Sequence, residues 1–363
     1  MDATYFKQRN KDNTLRLREL LKELPDFCDE YFTGIETTTT CLTRLNYAYD
    51  LRVFFHYLTS EVSRFEGISP TEFSIRDLRR VTTTDIEKFI SYLSLYTFCG
   101  KEYSNDNTGK SRKLSAVRAM FKYFYNKEKL DSDPAAKVSM PKLKEKAIVR
   151  LDVNEVAELL DSVEDGSGLT ARQKSFHQKT KLRDVAMLTM FLGTGIRISE
   201  CVGLNVSDVD LENKAFTVTR KGGKQAVLYF GDEVQEALAA YLEERFSDEN
   251  NSDNEPALFL SLQKKRISTR AVEDLVKKYS RIVTPLKHIT PHKLRSTFGT
   301  NLYRETGDIY VVAEVLGHND VNTTKKHYAD SSDEIRRNAV KNIVLRETDR
   351  KSTRLNSSHP SRS

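Results

Sequence analysis

Hydrophobic side chains recur every three or four positions through most of the first 130 residues, which is the spacing of an amphipathic helix. The segments 13–24, 43–62, 82–96 and 105–130 all show it, and the third opens on threonines suited to cap a helix. In 43–62, TRLNYAYDLRVFFHYLTSEV, the apolar positions are Leu45, Tyr49, Leu51, Phe54, Phe55 and Leu58. The pattern predicts an all-helical N-terminal domain over residues 1–132.

The pattern changes after a segment that has no periodicity. Residues 133–150 contain two prolines and several lysines, which is typical of an interdomain linker. Beyond it, 152–163 and 181–195 are predicted helices, 164–180 a polar loop, and the chain is helical again from residue 268. Residues 214–230 alternate as two strands around Gly222–Gly223, which predicts a β-hairpin. The expected fold class is mostly α, with a mixed α+β second domain over 151–350 that holds a small antiparallel sheet.

The composition of the chain indicates the cellular compartment in which the protein works. The longest apolar runs fall short of the roughly 18 residues of a membrane span, and the start lacks the apolar core of a signal peptide. Four scattered cysteines without CxxC spacing indicate reduced thiols in a cytoplasmic protein that does not associate with membranes. Residues 351–363 include KSTRLNSSH, which resembles a reading frame of a sequencing-library adapter. We expect this tail to be non-native and disordered, so the natural C-terminus beyond residue 350 stays open.

The net charge of +6 and the isoelectric point of about 8.9 are compatible with nucleic acid, and with many other partners. The helix predicted over 105–130 carries Lys110, Arg112, Lys113 and Arg118 opposite its apolar side. This side is either a solvated basic face or a face that lies along a phosphate backbone.

Two short motifs contain candidate phosphate-binding cations. In GTGIRISE, glycines break a helix, Arg197 opens the next one, and Glu200 follows one turn later. The pair is either a surface ion pair or a rigid fork for bidentate phosphate contact. In TRKGGKQ, Lys221 stands directly before the predicted hairpin turn. A lysine there usually serves solubility, but it could also enter a groove and protonate a leaving oxygen.

The segment TPHKLRSTFGT predicts a helix N-terminus that could bind an anion. Thr290 suits the N-cap and Pro291 the first helical position. His292 and Arg295 then share one face of the first turn, where free backbone N–H groups attract anions.

A histidine and a tyrosine follow the last predicted helix of this region. Gly317 would end the helix VVAEVLGH and leave His318 beyond it, and Tyr328 follows ten residues later. A zinc site of His288, His292 and His318 lacks a completing cysteine or carboxylate, so we expect neither a metal nor a cofactor.

The order Arg, Lys, His-x-x-Arg, His, Tyr resembles the tyrosine recombinase (phage integrase) family. Its six places are filled by Arg197, Lys221, His292, Arg295, His318 and Tyr328. The resemblance implies that the N-terminal domain is a core-binding (SAM-like) DNA-binding domain and that 151–350 is catalytic. Among subfamilies the chain is most similar to bacterial Xer recombinases, although the step from His318 to Tyr328 is ten residues where the Xer proteins have nine.

The resemblance also implies a role for each residue. Tyr328 would form a 3′-phosphotyrosyl link to DNA, Lys221 would protonate the leaving 5′ oxygen, and His292 would help to manage the tyrosine proton. Arg197 and Arg295 would stabilise the charged transition state, and His318 would hydrogen-bond the phosphate.

The implied partners are a double-stranded DNA recombination site and three further subunits, in a homotetramer or in a heterotetramer with a related recombinase. The helix predicted over 331–345 would either fold back on its own domain or dock on a neighbouring subunit. The implied role is Xer-like, in chromosome dimer resolution. A mobile-element integrase with the same chemistry and a non-catalytic DNA-binding regulator are the alternatives.

Overall fold

The computed structural model describes residues 4–143, 149–220, 223–247, 255–317 and 321. The chain divides into two compact units between residues 146 and 147. The predicted boundaries, 1–132, 133–150 and 151–350, stay a prediction. The helix predicted over 331–345 and the tail 351–363 lie outside the described residues.

The N-terminal unit is mostly helical, as the periodicity predicts. Its helices are α1 (Thr4–Leu21), α2 (Phe27–Gly34), α3 (Cys41–Glu61), α4 (Ile75–Arg79), α5 (Thr83–Tyr92) and α6 (Asn107–Asn126). A small antiparallel pair, β1 (Tyr96–Phe98) and β2 (Lys101–Tyr103), was not predicted. Its strands are too short for a periodic signal, and the turn between them depends on positive φ angles at Cys99 and Gly100.

The core of this unit lies largely between α3 and α6. Phe54 and Phe55 of α3 and Phe121 and Phe124 of α6 are completely buried, and Phe54 meets Phe121 at 6.3 Å between ring centroids. Tyr49, which the spacing assigned to the apolar side of α3, is instead 40% exposed.

The basic side of α6 is only partly a surface. Lys113 is buried and donates to the buried carboxylate of Asp50 at 3.1 Å, and Arg112 pairs with the same carboxylate. Arg118 donates to the carbonyl oxygens of Ala135 and Val138. Both interpretations of this side are therefore wrong for Lys113, because its ammonium is buried against Asp50. Arg118 is half-buried and bound to backbone carbonyls.

The C-terminal unit is helical with one small sheet. Its helices are α7 (Val153–Asp165), α8 (Ala171–His177), α9 (Lys181–Thr194), α10 (Ile198–Gly203), α11 (Asp232–Ser247), α12 (Thr269–Val283), α13 (Pro291–Thr306) and α14 (Ile309–Leu316). Its strands are β3 (Val209–Asp210), β4 (Ala215–Thr219) and β5 (Gln225–Tyr229), antiparallel in that order. The predicted hairpin is confirmed, since β4 and β5 pair from Ala215 opposite Tyr229 to Thr219 opposite Gln225.

One prediction for this unit is wrong. The segment 164–180 is not a loop throughout, because α8 lies within it. All residues of this helix except His177 are exposed, including its only large apolar residue, Phe176, so it has almost no apolar periodicity. A capping box between Thr170 and Gln173 starts the helix.

The almost fully buried helix α9 contacts α7, α11 and α13 and carries a buried polar network on its first turn. Asp184, 1% exposed, accepts hydrogen bonds from Thr180 at 3.0 Å and from the Tyr279 hydroxyl at 3.2 Å. The same hydroxyl lies 3.0 Å from Nδ1 of His177. Burial, followed by the nearby Lys278 ammonium, lowers the pKa of His177.

Among the described residues, no helix is both long enough and apolar enough to cross a membrane.

Candidate active site

Arg197 lies at a sharp turn between two helices. α9 ends at Gly195, whose φ of 61° is left-handed, and a Cβ atom there would overlap the ring of Phe298. Two residues later Arg197 occupies the N-cap of α10. A glycine therefore lets the chain turn tightly enough to present this arginine.

Glu200 fixes both the backbone and the side chain of Arg197. The Arg197 backbone N–H donates to one Glu200 carboxylate oxygen at 3.0 Å, and Nη1 donates to the other at 2.8 Å. The Glu200 side chain is 4% exposed and that of Arg197 is 37% exposed. This is a buried carboxylate holding a partly exposed guanidinium, which differs from a surface ion pair.

Arg295 is buried on the first turn of α13. Thr290 occupies the N-cap position as predicted, although its side chain makes no capping hydrogen bond, and Pro291 is the first helical residue. Arg295 is 5% exposed and donates from Nη1 to the carbonyl of Gly195 and from Nη2 to that of Leu316. His292 is exposed on the same turn.

The two guanidinium groups converge at the C-terminal end of α14. Nη2 of Arg197 lies 3.3 Å from the Leu316 carbonyl oxygen and 3.2 Å from that of Gly317. Arg295 donates to the same Leu316 oxygen. The last carbonyls of a helix have no partners within the helix and carry partial negative charge, so they are good acceptors for cations. These carbonyls are neutral, so they do not cancel the charge of Arg295, whereas the Glu200 carboxylate offsets that of Arg197. The two guanidinium groups together therefore keep positive charge that suits an anion.

The remaining predicted site residues, Lys221, His318 and Tyr328, lie outside the described residues. Arg220, which precedes Lys221, and Gly317, which precedes His318, are described, and the Arg220 guanidinium lies against Gly317. Arg220 was missed by the sequence analysis. It donates from Nη2 to the Val315 carbonyl at 3.3 Å, a contact between residues 95 positions apart that no local pattern could indicate.

No group of three or more His, Cys, Asp or Glu side chains in the described part of the chain is placed to hold a metal ion.

The chain is similar to known proteins over most of its length. Residues 149–334 match the profile of the phage integrase family. The chain is 32% identical over 346 residues to tyrosine recombinase XerC of Caldanaerobacter subterraneus subsp. tengcongensis, covering 93% of this chain and 92% of the relative. It is 32% identical over 334 residues to tyrosine recombinase XerS of Streptococcus agalactiae, covering 85% and 93%.

Solved structures share the fold. The XerH site-specific recombinase, bound to its palindromic difH substrate in a post-cleavage complex, aligns with a TM-score of 0.62 at 19% identity, over 83% of this chain and 80% of that one. The Tn1549 transposon integrase, in complex with circular intermediate DNA, aligns with a TM-score of 0.60 at 18% identity, over 84% and 95%.

The fold defines the class of the protein, which is that of the tyrosine recombinases. The chain belongs to the phage integrase family, the tyrosine recombinases, and is a site-specific recombinase.

Proposed function

We propose that this recombinase cuts and rejoins DNA at a site formed by the six residues of the family signature. These are Arg197, Lys221, His292, Arg295, His318 and Tyr328. The observation that carries the proposal is the convergence of the Arg197 and Arg295 guanidinium groups on the Leu316 carbonyl, two residues before His318. Two cations held together at one helix end are suited to a phosphodiester whose negative charge grows in the transition state.

In the first chemical step the Tyr328 hydroxyl oxygen attacks the phosphorus and the bond from phosphorus to the 5′ oxygen breaks. His292 takes part in removing the tyrosine proton, and Lys221 gives a proton to the leaving 5′ oxygen. The products are a 3′-phosphotyrosyl ester and a free 5′ hydroxyl. His318 donates a hydrogen bond to the phosphate throughout.

In the second step the 5′ hydroxyl of another strand attacks the phosphotyrosyl ester, and the tyrosine leaves with its proton restored. One phosphodiester is broken and one is formed, so the exchange is nearly neutral in energy. The chemistry therefore needs no nucleotide, and Arg197 and Arg295 supply positive charge without a metal ion.

We assign DNA contact to both parts of the chain, with 1–132 as the core-binding domain, 133–150 as the linker and 151–350 as the catalytic domain. The division of the chain into two compact units supports a two-domain organisation. The partner is a double-stranded recombination site, and the working assembly is a homotetramer, or a heterotetramer with a related recombinase, in the cytoplasm. Structures of related recombinases bound to DNA support the DNA partner.

The biological role that we propose is Xer-like, in the resolution of chromosome dimers. Relatives named XerC and XerS that match over most of the chain support it. The alternative is the integrase of a mobile element, which the likeness to a transposon integrase supports at a nearly equal TM-score.

The chemistry is tested by trapping. A nicked DNA site loses the 5′ fragment after cleavage, so wild-type protein should accumulate as a covalent complex. Tyr328→Phe should bind the same DNA with unchanged affinity and form no covalent complex. Tyr310→Phe is the matched control, since this tyrosine is 69% exposed on α14 and should leave trapping unchanged. Wild-type levels of covalent product from Tyr328→Phe would assign the nucleophile elsewhere.

The biological role is tested by mapping the chromosomal sites that the protein occupies in its host. A single chromosomal site where replication terminates supports dimer resolution. Sites confined to the ends of a mobile element support the integrase.

A further inference from the structure

Arg220 connects the β4–β5 hairpin to the end of α14. Its backbone closes the turn, because its N–H donates to the Lys224 carbonyl at 2.7 Å and its own carbonyl accepts from the Gly223 N–H at 3.1 Å. Its side chain leaves the hairpin and donates from Nη2 to the Val315 carbonyl at 3.3 Å. The side chain is half-buried, and Nε is inaccessible to solvent with no hydrogen-bond partner among the described residues. The guanidinium is therefore packed against the protein.

The end of α14 has the shape that this arginine requires. Gly317 ends the helix with a φ of 60°, and a Cβ atom there would overlap the Arg220 guanidinium. Gly307, which ends α13, has a similar φ of 67°, but a Cβ atom there would meet nothing within 4 Å. Gly307 thus has the same left-handed backbone conformation as Gly317 but no close neighbour. Comparing the two glycines therefore separates the effect of the positive φ from the effect of the contact with Arg220.

Three arginines from three separate elements hold one helix end. Arg197 donates to the Leu316 and Gly317 carbonyls and Arg295 to that of Leu316. Arg220 donates to the carbonyl of Val315. The first two are the proposed phosphate ligands. Arg220 therefore ties the hairpin to the carbonyl that directly precedes those that orient these ligands.

We propose that Arg220 is a positioning residue that holds Lys221 in place for protonation of the leaving oxygen, an inference that rests on the proposed function. Lys221 is the next residue along the chain, in the segment between β4 and β5. A proton donor must stay within hydrogen-bond reach of the oxygen that it serves. The anchored Arg220 side chain supplies the tertiary contact that fixes the end of β4 against the C-terminal end of α14.

The test uses the full-length protein and two nicked substrates that differ in one atom. One carries the natural 5′ oxygen at the scissile bond, and the other carries sulfur. A thiolate leaves without a proton because thiols are much stronger acids than alcohols. A residue that acts only through Lys221 should therefore matter for the oxygen substrate and matter little for the sulfur substrate.

We expect Arg220→Ala to bind DNA within about two-fold of wild type and to cleave the oxygen substrate at least about ten-fold more slowly. On the sulfur substrate it should cleave at close to the wild-type rate. Arg220→Lys, which keeps a long cation, should recover part of the loss. Equal slowing on both substrates would overturn the proposal. Weaker binding with a salt dependence shallower by about one charge would instead make Arg220 a direct phosphate contact and overturn it too.

A second set of variants tests the contact between Arg220 and Gly317. Gly317→Ala should slow cleavage of the oxygen substrate far more than Gly307→Ala, since both pay the φ strain but only the first collides with Arg220. In Arg220→Ala/Gly317→Ala the two effects should not add, because the collision is gone. Strict additivity would show that the glycine and the arginine act independently, against the proposal.

The Tyr328→Phe variant distinguishes a failure of the proposed role of Arg220 from a failure of the proposed function. If it forms no covalent complex while Arg220→Ala behaves as wild type on both substrates, only the role of Arg220 fails. If Tyr328→Phe still forms the covalent complex, the proposed function fails, whatever the behaviour of Arg220→Ala.

Discussion

Replacing Glu200 by glutamine should loosen Arg197 without removing it. Glutamine has nearly the same shape but keeps only one acceptor oxygen, and it turns an amide donor toward an arginine that is also a donor. Of the two hydrogen bonds from Arg197 to the carboxylate, at 3.0 and 2.8 Å, one is therefore lost. The other bond remains but loses the charge on its acceptor.

The expected loss of stability depends on how deeply the two side chains are buried. A hydrogen bond to a charged group contributes about 1.5–3 kcal/mol, and an exposed pair contributes about 1 kcal/mol or less. Glu200 is 5% exposed, whereas the Arg197 side chain is 37% exposed, so we take a value in the lower part of the first range. Glu200→Gln should lower the free energy of unfolding by about 2 kcal/mol, and Glu200→Ala, which loses both bonds, by about 3 kcal/mol.

Hydrogen exchange measured by mass spectrometry can localise the loss. Peptides that cover α9 and α10 should lose about 2 kcal/mol of protection in Glu200→Gln, with little change in the N-terminal unit. Single-turnover cleavage should slow by about ten- to hundred-fold at unchanged DNA affinity, less than the hundred- to thousand-fold expected when a transition-state donor is removed outright. Glu243→Gln removes the same charge from an exposed position of α11 and is the control.

Wild-type protection and wild-type cleavage in Glu200→Gln would refute the reasoning, since the carboxylate would then not hold Arg197. Lost protection with normal cleavage would limit Glu200 to stabilising the turn.

Two further predictions concern buried charge. Lys113→Met should lower the free energy of unfolding of the N-terminal unit by about 3 kcal/mol, because it leaves the fully buried Asp50 carboxylate with Arg112 alone. Urea titration followed by circular dichroism measures this loss, and the double variant Asp50→Leu/Lys113→Met should regain part of the stability. If the double variant regains none, the pairing of Lys113 with Asp50 is contradicted. Because the pKa of His177 is lowered by folding, its stabilising contribution is present above its unfolded pKa of about 6.5 and is lost as pH falls through the folded value. Thermal melts from pH 7 to 5 should therefore show a decline that His177→Gln reduces, and an unchanged slope in the variant would rule this residue out as the cause.

Much of the architecture could be predicted from the sequence because it depends on local patterns. Helical periodicity located α3, α5, α6 and α9, and the alternation around two glycines located the β4–β5 hairpin. The order of six chemically distinctive residues indicated the family, which the comparisons confirm. Periodicity, turn chemistry and residue order survive in a one-dimensional string, so they need no knowledge of packing.

Contacts between distant residues were decided only by the tertiary structure. On a helical wheel, Lys113 and Arg118 look like a surface that faces DNA. In the structure Lys113 donates to the Asp50 carboxylate, and Arg118 donates to two backbone carbonyls. In the sequence Arg220 looks like one more cation at a hairpin. In the structure it donates a hydrogen bond to the end of a helix 95 residues further along the chain. A charged side chain binds whichever acceptor the fold brings within about 3 Å. The sequence by itself determines which cations are present, and packing decides which of them remain available to DNA.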